Sequence, residues 1–462
     1  MRRLVWSSLI GQSLWRVRSI PRWIHKPQVL SSQCRFNSTD FQQSSGYLRT
    51  DISLIPQFGN NNAGNKEKEP VMRKSKIVDR HGIRHQEALI MFSYDLYKKI
   101  SEILKDDNLD KNPRIAILCE NDITYVIAQL AIWLYCGVGV PLCKTHPPSE
   151  WKYVIEDAQC SAVIRSLKVD LPVLDNVKVI DMPGSEQYSG IQVRPMTFTP
   201  VEKVADVDDP ALIIYTSGTT GPPKGVVLSH RNLITNMNDM IQEWEWNSSN
   251  YKGTAPDIIL HCLPLHHVHG VVNALWTPLF CGAIVYMLPR FNVGLVMKLL
   301  ATSSFNKFTG EEYSLIWKGS QIPEVSIFMG VPTMYAKLIE YYEEHYEPQI
   351  NTNSASGLML KHTITTKFSN MRLMVSGSAA LPESIMKKWH QISGHWLLER
   401  YGMTEVGMAL TNPLNGERIP GKWLSGFVRI YYEEVAPDKR PLAPREIRND
   451  RGGNGSNQSP KW

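Results

Sequence analysis

A run of glycine, serine and threonine residues that ends in a lysine constrains this chain more than any other feature. The run covers residues 215–225 and has the sequence Tyr-Thr-Ser-Gly-Thr-Thr-Gly-Pro-Pro-Lys-Gly. Apolar runs precede it at residues 211–214 and follow it at residues 226–228, which predicts two strands with this segment as the hairpin tip between them. A solvated turn does not need so many small residues in order, so we interpret the segment as a binding loop.

The composition of this loop suits a polyphosphate. Glycine lets the backbone approach an anion closely, amide and hydroxyl groups donate hydrogen bonds, and one ammonium group offsets negative charge. The loop is not a Walker A motif, because that motif continues after its lysine with Ser or Thr in a helix, and Gly-Val-Val follows here. The predicted nucleotide ligands are Thr216, Ser217, Gly218, Thr219, Thr220, Gly221, Pro222, Pro223 and Lys224.

Three further segments accompany the loop. They are Pro-Leu-His-His-Val-His-Gly at residues 264–270, Ser-Gly-Ser-Ala-Ala-Leu-Pro at 376–382 and Glu-Arg-Tyr-Gly-Met-Thr-Glu at 399–405. In this order the four segments resemble the motifs of the adenylate-forming enzymes, which include acyl-CoA synthetases, luciferases and peptide-synthetase adenylation domains. The amino-acid sequences of these motifs are most similar to those of malonyl-CoA synthetases, and the resemblance covers residues 77–421.

The pattern of the chain predicts an α/β fold. From residue 114 onward short apolar segments alternate with helical ones, which is typical of parallel sheets covered on both faces. The resemblance implies a large N-terminal AMP-binding, adenylate-forming domain at residues 77–421, with two parallel-rich sheets and covering helices. After residue 421 the sequence departs from the family pattern, so we expect an incomplete β-subdomain, no small C-terminal domain, and a divergent, mostly disordered tail at 422–462. A natural short isoform and an error of gene prediction would both produce such an end.

The charge distribution separates the N-terminus from the body. The chain has a net charge of +6, but residues 1–39 hold seven basic side chains and no acid, so the remainder is nearly neutral. An Arg-rich, acid-free, Ser-containing start is typical of a mitochondrial transit peptide and predicts location in the mitochondrial matrix. A disordered basic tail is the alternative. Residues 40–76 are polar and predict a disordered linker.

Composition also excludes several classes of protein. A nearly neutral body argues against a nucleic-acid partner. The longest apolar run, at residues 126–140, is too short to cross a bilayer, so we expect no transmembrane segment. The seven cysteines are scattered and form no Cys-x-x-Cys pair, which indicates neither a zinc site nor a disulfide framework. The sequence gives no indication of oligomeric state.

The resemblance implies roles for two of the later motifs. Thr404 would contact phosphate and Glu405 would bind Mg²⁺, a metal that proteins usually hold with one or two carboxylates beside substrate phosphates. Without the resemblance, this pair would be equally consistent with a helix cap. The segment from Gly377 through Ser378 and Ala379 to Ala380 would form the adenine loop, because small residues at the end of a buried strand let a base approach. Tyr401 would stack on that base and Gly402 would lie beside it.

The acid-binding residues are predicted from charge. By resemblance, His266 or His269 lines the carboxylate pocket, although the three neighbouring histidines lack the spacing of a zinc site. Arg372 lies in an apolar run at residues 371–375 that predicts a strand, and a buried arginine needs an anionic partner. By resemblance that partner is the second carboxylate of malonate, and a protein carboxylate is the alternative. Arg290 is a weaker second candidate, and we expect Arg400 to be structural.

These features together predict an acid–thiol ligase that forms AMP. Lys224, Thr404 and Glu405 would be its catalytic residues. Mg²⁺ would be its cofactor, ATP, malonate and CoA would be its substrates, and malonyl-AMP would be the intermediate. The family has a further lysine in the C-terminal domain that this chain lacks, so we expect impaired activity, with a loss of about a hundred- to a thousandfold for one missing contact in the transition state. A medium-chain fatty acid–CoA ligase and a non-catalytic nucleotide-binding remnant are the alternatives.

Overall fold

The computed structural model describes residues 4–5, 76–79, 82–105, 111–167, 169–189, 191, 205–216, 221–246, 256–301, 310–316, 324–352, 354–416, 418 and 431–432. The predicted transit peptide, linker and tail lie outside these residues, except for 4–5, 76 and 431–432. Among the helices that the structure describes, none has the length and apolar character needed to cross a membrane.

The described chain contains sixteen strands. They are β1 (Leu4–Val5), β2 (Lys76–Asp79), β3 (Gly82–His85), β4 (Arg114–Leu118), β5 (Val138–Pro141), β6 (Ala162–Arg165), β7 (Lys178–Asp181), β8 (Pro210–Thr216), β9 (Lys224–Ser229), β10 (Ile258–His261), β11 (Ile284–Met287), β12 (Ile327–Gly330), β13 (Leu373–Ser376), β14 (Leu398–Met403), β15 (Gly407–Thr411) and β16 (Tyr431–Tyr432).

The same residues contain eleven α-helices. They are α1 (Gln86–Ile103), α2 (Ile123–Leu134), α3 (Pro148–Asp157), α4 (His230–Glu243), α5 (Thr277–Phe280), α6 (Val293–Ala301), α7 (Gly310–Leu315), α8 (Pro332–His345), α9 (Glu347–Ile350), α10 (Ala355–Ser369) and α11 (Glu383–Ser393). A 3₁₀ helix covers Ser185–Tyr188, and a π-helix at His269–Trp276 leads directly into α5.

Two large sheets organise the fold. An eight-stranded sheet has the order β15-β14-β13-β12-β10-β11-β2-β3, and a six-stranded sheet has the order β7-β6-β4-β5-β8-β9. Neighbouring strands are parallel except at the edges, where β14–β15, β2–β3 and β8–β9 are antiparallel hairpin pairs. This arrangement confirms the predicted α/β fold with two parallel-rich sheets. In a separate compact unit, β1 pairs with β16 in antiparallel orientation.

Both faces of the six-stranded sheet are buried at its central strand β4. On β4, Ile115 and Ile117 belong to the larger hydrophobic core, whereas Ala116 and Leu118 belong to a second cluster that includes Trp151 of α3. Alternate residues of a strand point to opposite faces, so burial on both faces makes the strand a continuous apolar run. This is the reason that the sequence predicts these strands well.

Helix α2 packs inside the larger core. Every residue from Ile123 to Trp133 is buried, which is typical of a helix surrounded by other elements. Asp122 begins the helix, because its carboxylate accepts a hydrogen bond from the backbone amide of Thr124 at 2.9 Å. Near the other end, the indole N–H of Trp133 donates to the carbonyl oxygen of Ala211 in β8 at 2.9 Å.

Several local predictions are wrong. The apolar spacing of residues 93–104 predicts a helix with Ser93 as its cap. However, α1 begins at Gln86, and the buried Ser93 hydroxyl donates to the Leu89 carbonyl at 2.7 Å. Likewise, the sequence predicts a helix at residues 149–157 with Ser149 as its cap, but α3 begins at Pro148 and its N-cap position is Pro147. The polar character of residues 302–321 predicts a loop insertion, and the described part of this segment includes the short helix α7.

Candidate active site

The candidate active site is a cleft of about 1080 Å³ that is lined by residues from both large sheets. Its walls include Asn121 after β4, Lys144 after β5, Arg290 after β11 and Ser378 after β13. All of these residues follow the carboxyl end of a parallel strand, which is where open α/β sheets bind ligands. The volume is at the upper end of ordinary small-molecule sites, which suits a nucleotide with a second small substrate.

The phosphate-loop segment joins β8 and β9 as the predicted hairpin. Thr216 and Lys224 are paired across the two strands, and both line the cleft. Gly221 has a φ of +108°, which lies in the left-handed region that glycine adopts readily. Pro222, Pro223 and Lys224 are exposed, whereas Ser217, Gly218, Thr219 and Thr220 lie outside the described residues.

Two tyrosine hydroxyls form hydrogen bonds between this hairpin and α3. The hydroxyl of Tyr215 in β8 donates to the carboxylate of Asp157 at 2.6 Å, and that of Tyr153 in α3 donates to the carbonyl oxygen of Pro223 at 2.8 Å. The two rings lie edge to face, with 6.4 Å between their centroids. The base of the loop therefore has a fixed position relative to the cleft.

The hairpin formed by β14 and β15 carries the predicted metal and base residues. Tyr401 is 49% exposed, and the strand register shifts between Tyr401 and Gly402. At Gly402 a Cβ atom would lie 2.2 Å from the carbonyl oxygen of Gly407, so only glycine fits there. The turn that follows places Thr404 and Glu405 in the cleft wall.

Glu405 fits the requirements of a magnesium ligand. Its carboxylate lines the cleft, and it has no hydrogen-bond or ion-pair partner among the described residues. In the same part of the chain, no group of three His, Cys, Asp or Glu side chains is arranged to hold a metal ion. A single carboxylate suits Mg²⁺, which keeps water and substrate phosphates among its ligands.

The predicted adenine loop follows β13. Gly377 is buried, whereas Ser378, Ala379 and Ala380 are exposed. Ser378 has a φ of +67°, which is unfavourable for a residue with a side chain and is typical of functional positions. A Cβ atom at Gly377 would lie 2.3 Å from Nε of Arg400, so the glycine leaves the space that this guanidinium occupies.

The predicted histidines contribute uncharged polar groups. His269 is 3% exposed, and its Nδ1 atom is 3.1 Å from the hydroxyl of Ser378. Burial, assisted by the charge of Arg400, lowers the pKa of His269 well below its ordinary value. Burial and the neighbouring His146 lower the pKa of His266 to about 4. Both rings line the cleft, and His269 lies in the π-helix, a rare element that is frequent at functional sites.

The structure does not bring Arg372 together with the other predicted site residues. Arg372 precedes β13 at the amino end of the strand, opposite to the end that meets the cleft, and it does not line the cleft. Its Nε and Nη2 atoms donate to the two carboxylate oxygens of Asp257 at 3.1 and 2.9 Å, and Nη1 donates to the Trp244 carbonyl at 2.6 Å. The prediction that Arg372 binds malonate is therefore replaced by its alternative, a buried pair with a protein acid.

Sequence reasoning missed Lys144. Its ammonium group donates to a carboxylate oxygen of Glu120 at 2.5 Å and to the carbonyl oxygen of Pro289 at 2.9 Å. Glu120 follows β4 and Pro289 follows β11, so Lys144 connects the ends of strands from the two sheets at the cleft. The available signal was a basic residue directly after a buried strand, where parallel sheets place their functional groups.

The two parallel-rich sheets and the cleft at the carboxyl ends of their strands define a ligand-binding protein of the α/β class. A family comparison gives the particular family. The model of the AMP-binding enzyme family matches residues 93–431, which is most of the chain. The chain therefore belongs to the AMP-binding enzyme family, and the predicted membership of the adenylate-forming enzymes is confirmed.

Individual proteins resemble the chain over part of their length. The mitochondrial malonate–CoA ligase ACSF3 of Xenopus laevis is 40% identical over 425 residues, which are 90% of this chain and 65% of that protein. Apo MatB from Rhodopseudomonas palustris has a TM-score of 0.56 at 26% identity, over 82% of this chain and 66% of MatB. A malonyl-CoA ligase in a ternary product complex with methylmalonyl-CoA and AMP has the same TM-score and identity, over 77% of this chain and 63% of the ligase. The chain thus spans slightly less than two thirds of each of these relatives.

Proposed function

We propose that this chain uses ATP to activate malonate through malonyl-AMP and transfers the malonyl group to coenzyme A. The observation that carries the proposal is the convergence of three candidate nucleotide segments on one cleft: the β8–β9 hairpin, the loop after β13 and the β14–β15 hairpin. Relatives named as malonate–CoA ligases support the choice of acid.

The first step would join the acid to the α-phosphate of ATP. A carboxylate oxygen of malonate attacks the α-phosphorus, the bond to the bridging oxygen breaks, and pyrophosphate leaves with the electron pair. Lys224 and the hydroxyl of Thr404 would hold phosphate oxygens, and Glu405 would hold Mg²⁺. When bound, this metal would offset the negative charge of the phosphates. Preorganised charge of this kind is usually the largest contribution to catalysis.

The second step would form the thioester. The thiolate of CoA, formed by loss of the thiol proton to solvent, attacks the carbonyl carbon of malonyl-AMP, and AMP leaves with the electrons of the acyl–oxygen bond. His266 and His269, both uncharged near neutral pH, line the wall of the cleft and would contact the acid. Tyr401 and the loop from Gly377 to Ala380 would hold the adenine.

Arg290 becomes the better of the two arginines first considered for the second carboxylate of malonate. It is exposed and lines the cleft, whereas Arg372 does not line the cleft. The basic, acid-free N-terminus and the mitochondrial name of a relative support a mitochondrial location. Location in the matrix and an AMP-binding domain at residues 77–421 belong to the same proposal.

Pyrophosphate release tests the first step. The purified chain is incubated with ATP, Mg²⁺ and malonate, and the same mixture is then assayed with CoA. We expect release that depends on malonate, a loss of it in Glu405→Gln, and malonyl-CoA as product when CoA is present. ATP binding without any pyrophosphate release would refute the proposal in favour of a nucleotide-binding remnant. Release that depends on hexanoate and not on malonate would favour a medium-chain acid ligase.

A further inference from the structure

Asn236 is a buried carboxamide without a hydrogen-bond partner in the described chain. It lies in α4, is 4% exposed and does not line the cleft. Both its Oδ1 and its Nδ2 atom are enclosed, and neither has a partner among the residues that the structure describes. A buried polar group that makes no hydrogen bond costs stability, so its presence needs an explanation.

The carboxamide of Asn236 lies against the turn that joins β14 to β15. A Cβ atom at Gly407 would be 2.6 Å from Nδ2 and 3.0 Å from Cγ of Asn236. Gly407 is paired with Met403, and its φ of +66° lies in the left-handed region. The residues between this pair include Thr404 and Glu405, which line the cleft. Asn236 therefore contacts the turn that carries the proposed magnesium ligand without lining the cleft itself.

Helix α4 begins in a fixed position on the six-stranded sheet. It directly follows β9, the strand that starts at Lys224. A capping box closes its first turn, because the backbone amide of Asn232 donates to the hydroxyl of Ser229 at 3.2 Å and the amide of Ser229 donates to Oδ1 of Asn232 at 2.9 Å. The backbone amide of His230 donates to the carbonyl oxygen of Asp209, just before β8, at 3.2 Å. The start of α4 is therefore held relative to the phosphate-loop hairpin.

The same helix reaches the eight-stranded sheet. Asn236 adjoins Gly407 at the start of β15. The indole N–H of Trp244, directly after α4, donates to the hydroxyl of Thr411 at the end of β15, with 3.4 Å between the heavy atoms. Helix α4 thus connects two segments that we assign to the nucleotide, the β8–β9 hairpin and the turn between β14 and β15.

We propose that Asn236 is a positioning residue that forms a hydrogen bond with the backbone of the turn at residues 404–407 when ATP and Mg²⁺ are bound, and that it thereby holds Glu405 at the metal. The inference rests on the proposed function, in which Glu405 binds Mg²⁺. A carboxamide suits this task because it has N–H donors and a carbonyl acceptor and can bond to either group of a peptide unit. The bond formed in the bound state offsets the cost of the unpaired carboxamide in the free protein.

The test compares Asn236→Leu with Asn238→Leu in the full chain. Asn238 is half-buried on the same helix and, two residues further on, points about 200° away from Asn236, so it controls for the substitution itself. Calorimetry measures the Kd for ATP with Mg²⁺ and, separately, with EDTA. For Asn236→Leu we expect the Kd with Mg²⁺ to rise about tenfold, which corresponds to one hydrogen bond, and the Kd with EDTA to equal that of wild type. Asn238→Leu should change neither value.

Thermal unfolding distinguishes positioning from a structural role. Replacing an unpaired carboxamide by an apolar side chain should leave the unfolding midpoint of the free protein unchanged or raise it. Asn236→Ala, which cannot overpack the site, should show the same pattern of Kd values as Asn236→Leu. An equal rise of the Kd with Mg²⁺ and with EDTA would mean that Asn236 supports the fold in general, and this result would overturn the inference. No change in either Kd would also overturn it.

A double substitution tests whether Asn236 acts through Glu405. If Asn236 positions the Glu405 carboxylate, adding Asn236→Leu to Glu405→Gln should not raise the Kd for ATP with Mg²⁺ any further, because the contact that Asn236 supports is already lost. Additive effects of the two substitutions would show that Asn236 acts independently of Glu405 and would contradict the proposed role.

These measurements also separate the inference from the proposed function. If wild type binds ATP more tightly with Mg²⁺ but releases no pyrophosphate with malonate, the proposed activity fails, and the Kd values still decide the role of Asn236. If wild type releases pyrophosphate and Asn236→Leu has the wild-type Mg²⁺ dependence, the role of Asn236 is wrong and the activity stands. If Mg²⁺ does not change the Kd of wild type, the assignments of Glu405 and Asn236 both fail.

Discussion

Replacing Arg372 by methionine tests whether this arginine holds the fold together or holds the substrate. The side chains of Arg372 and Asp257 are only 5% and 7% exposed, and Asp257 would keep a buried charge without its partner in the variant. Loss of one member of a buried pair costs about 3–5 kcal/mol in unfolding free energy. The hydrogen bond from Arg372 to the Trp244 carbonyl is lost as well, so we expect a value near the upper end of this range.

A double substitution separates the pair from its surroundings. In Arg372→Met/Asp257→Leu no unpaired charge remains, and we expect most of the lost stability to return, because apolar replacement of a whole buried pair is often neutral. The assay is urea unfolding followed by far-UV circular dichroism for wild type, both single variants and the double variant. Below the unfolding transition, malonate binding to Arg372→Met should match that of wild type. A variant with wild-type stability and no malonate binding would refute this reasoning and restore Arg372 to the substrate site.

Three other changes follow from named contacts. Burial lowers the pKa of His261 to about 4, so between pH 6.5 and 4 the unfolded chain takes up a proton that the folded chain does not. The unfolding free energy should therefore fall by about 3 kcal/mol over this range. In urea titrations at pH 7 and 4.5, His261→Gln should show a smaller fall than wild type. Gly402→Ala should raise the Kd for ATP, measured by calorimetry, at least tenfold. The reason is that a Cβ atom at residue 402 would lie 2.2 Å from the Gly407 carbonyl and force β14 and β15 apart. An unchanged Kd would contradict the close contact between these two strands. Glu405→Gln should remove the Mg²⁺ dependence of ATP binding while leaving the unfolding midpoint within a few degrees of wild type, and an equal Mg²⁺ response in both proteins would exclude Glu405 as the metal ligand.

The large elements of the fold were predictable because they are simple consequences of burial. Strands such as β4 and β8 are buried on most or all of their length and appear in the sequence as apolar runs. Helix α10 was not predicted, because few of its side chains are buried and its apolar residues do not lie on one face. Ser93 misled the prediction of α1, since serine favours helix starts but also fits inside a helix when its hydroxyl bonds to the preceding turn.

The site was predictable where a motif specifies local backbone geometry. The β8–β9 hairpin, the loop after β13 and the turn at Thr404 and Glu405 are each encoded by a few consecutive residues. The structure brings the latter two, and the ends of the hairpin strands at Thr216 and Lys224, to one cleft. Charge pairing over long distances was not predictable. Nothing near Arg372 in the sequence indicates that Asp257, 115 residues away, lies beside it. Nor does the sequence indicate that Arg400, expected to be structural, has no such acidic partner among the residues that the structure describes.

The contact between Gly377 and Arg400 has a consequence for how this site can change during evolution. As long as the guanidinium occupies the space where a Cβ atom would be, 2.3 Å from Nε, no side chain is tolerated at position 377. A substitution of Arg400 removes that restriction, so a larger residue at 377 becomes acceptable only afterwards. The two positions are epistatic, as expected for residues in direct contact. A lineage that gains a side chain at position 377 must therefore take the arginine substitution first, and the reverse order is closed to it.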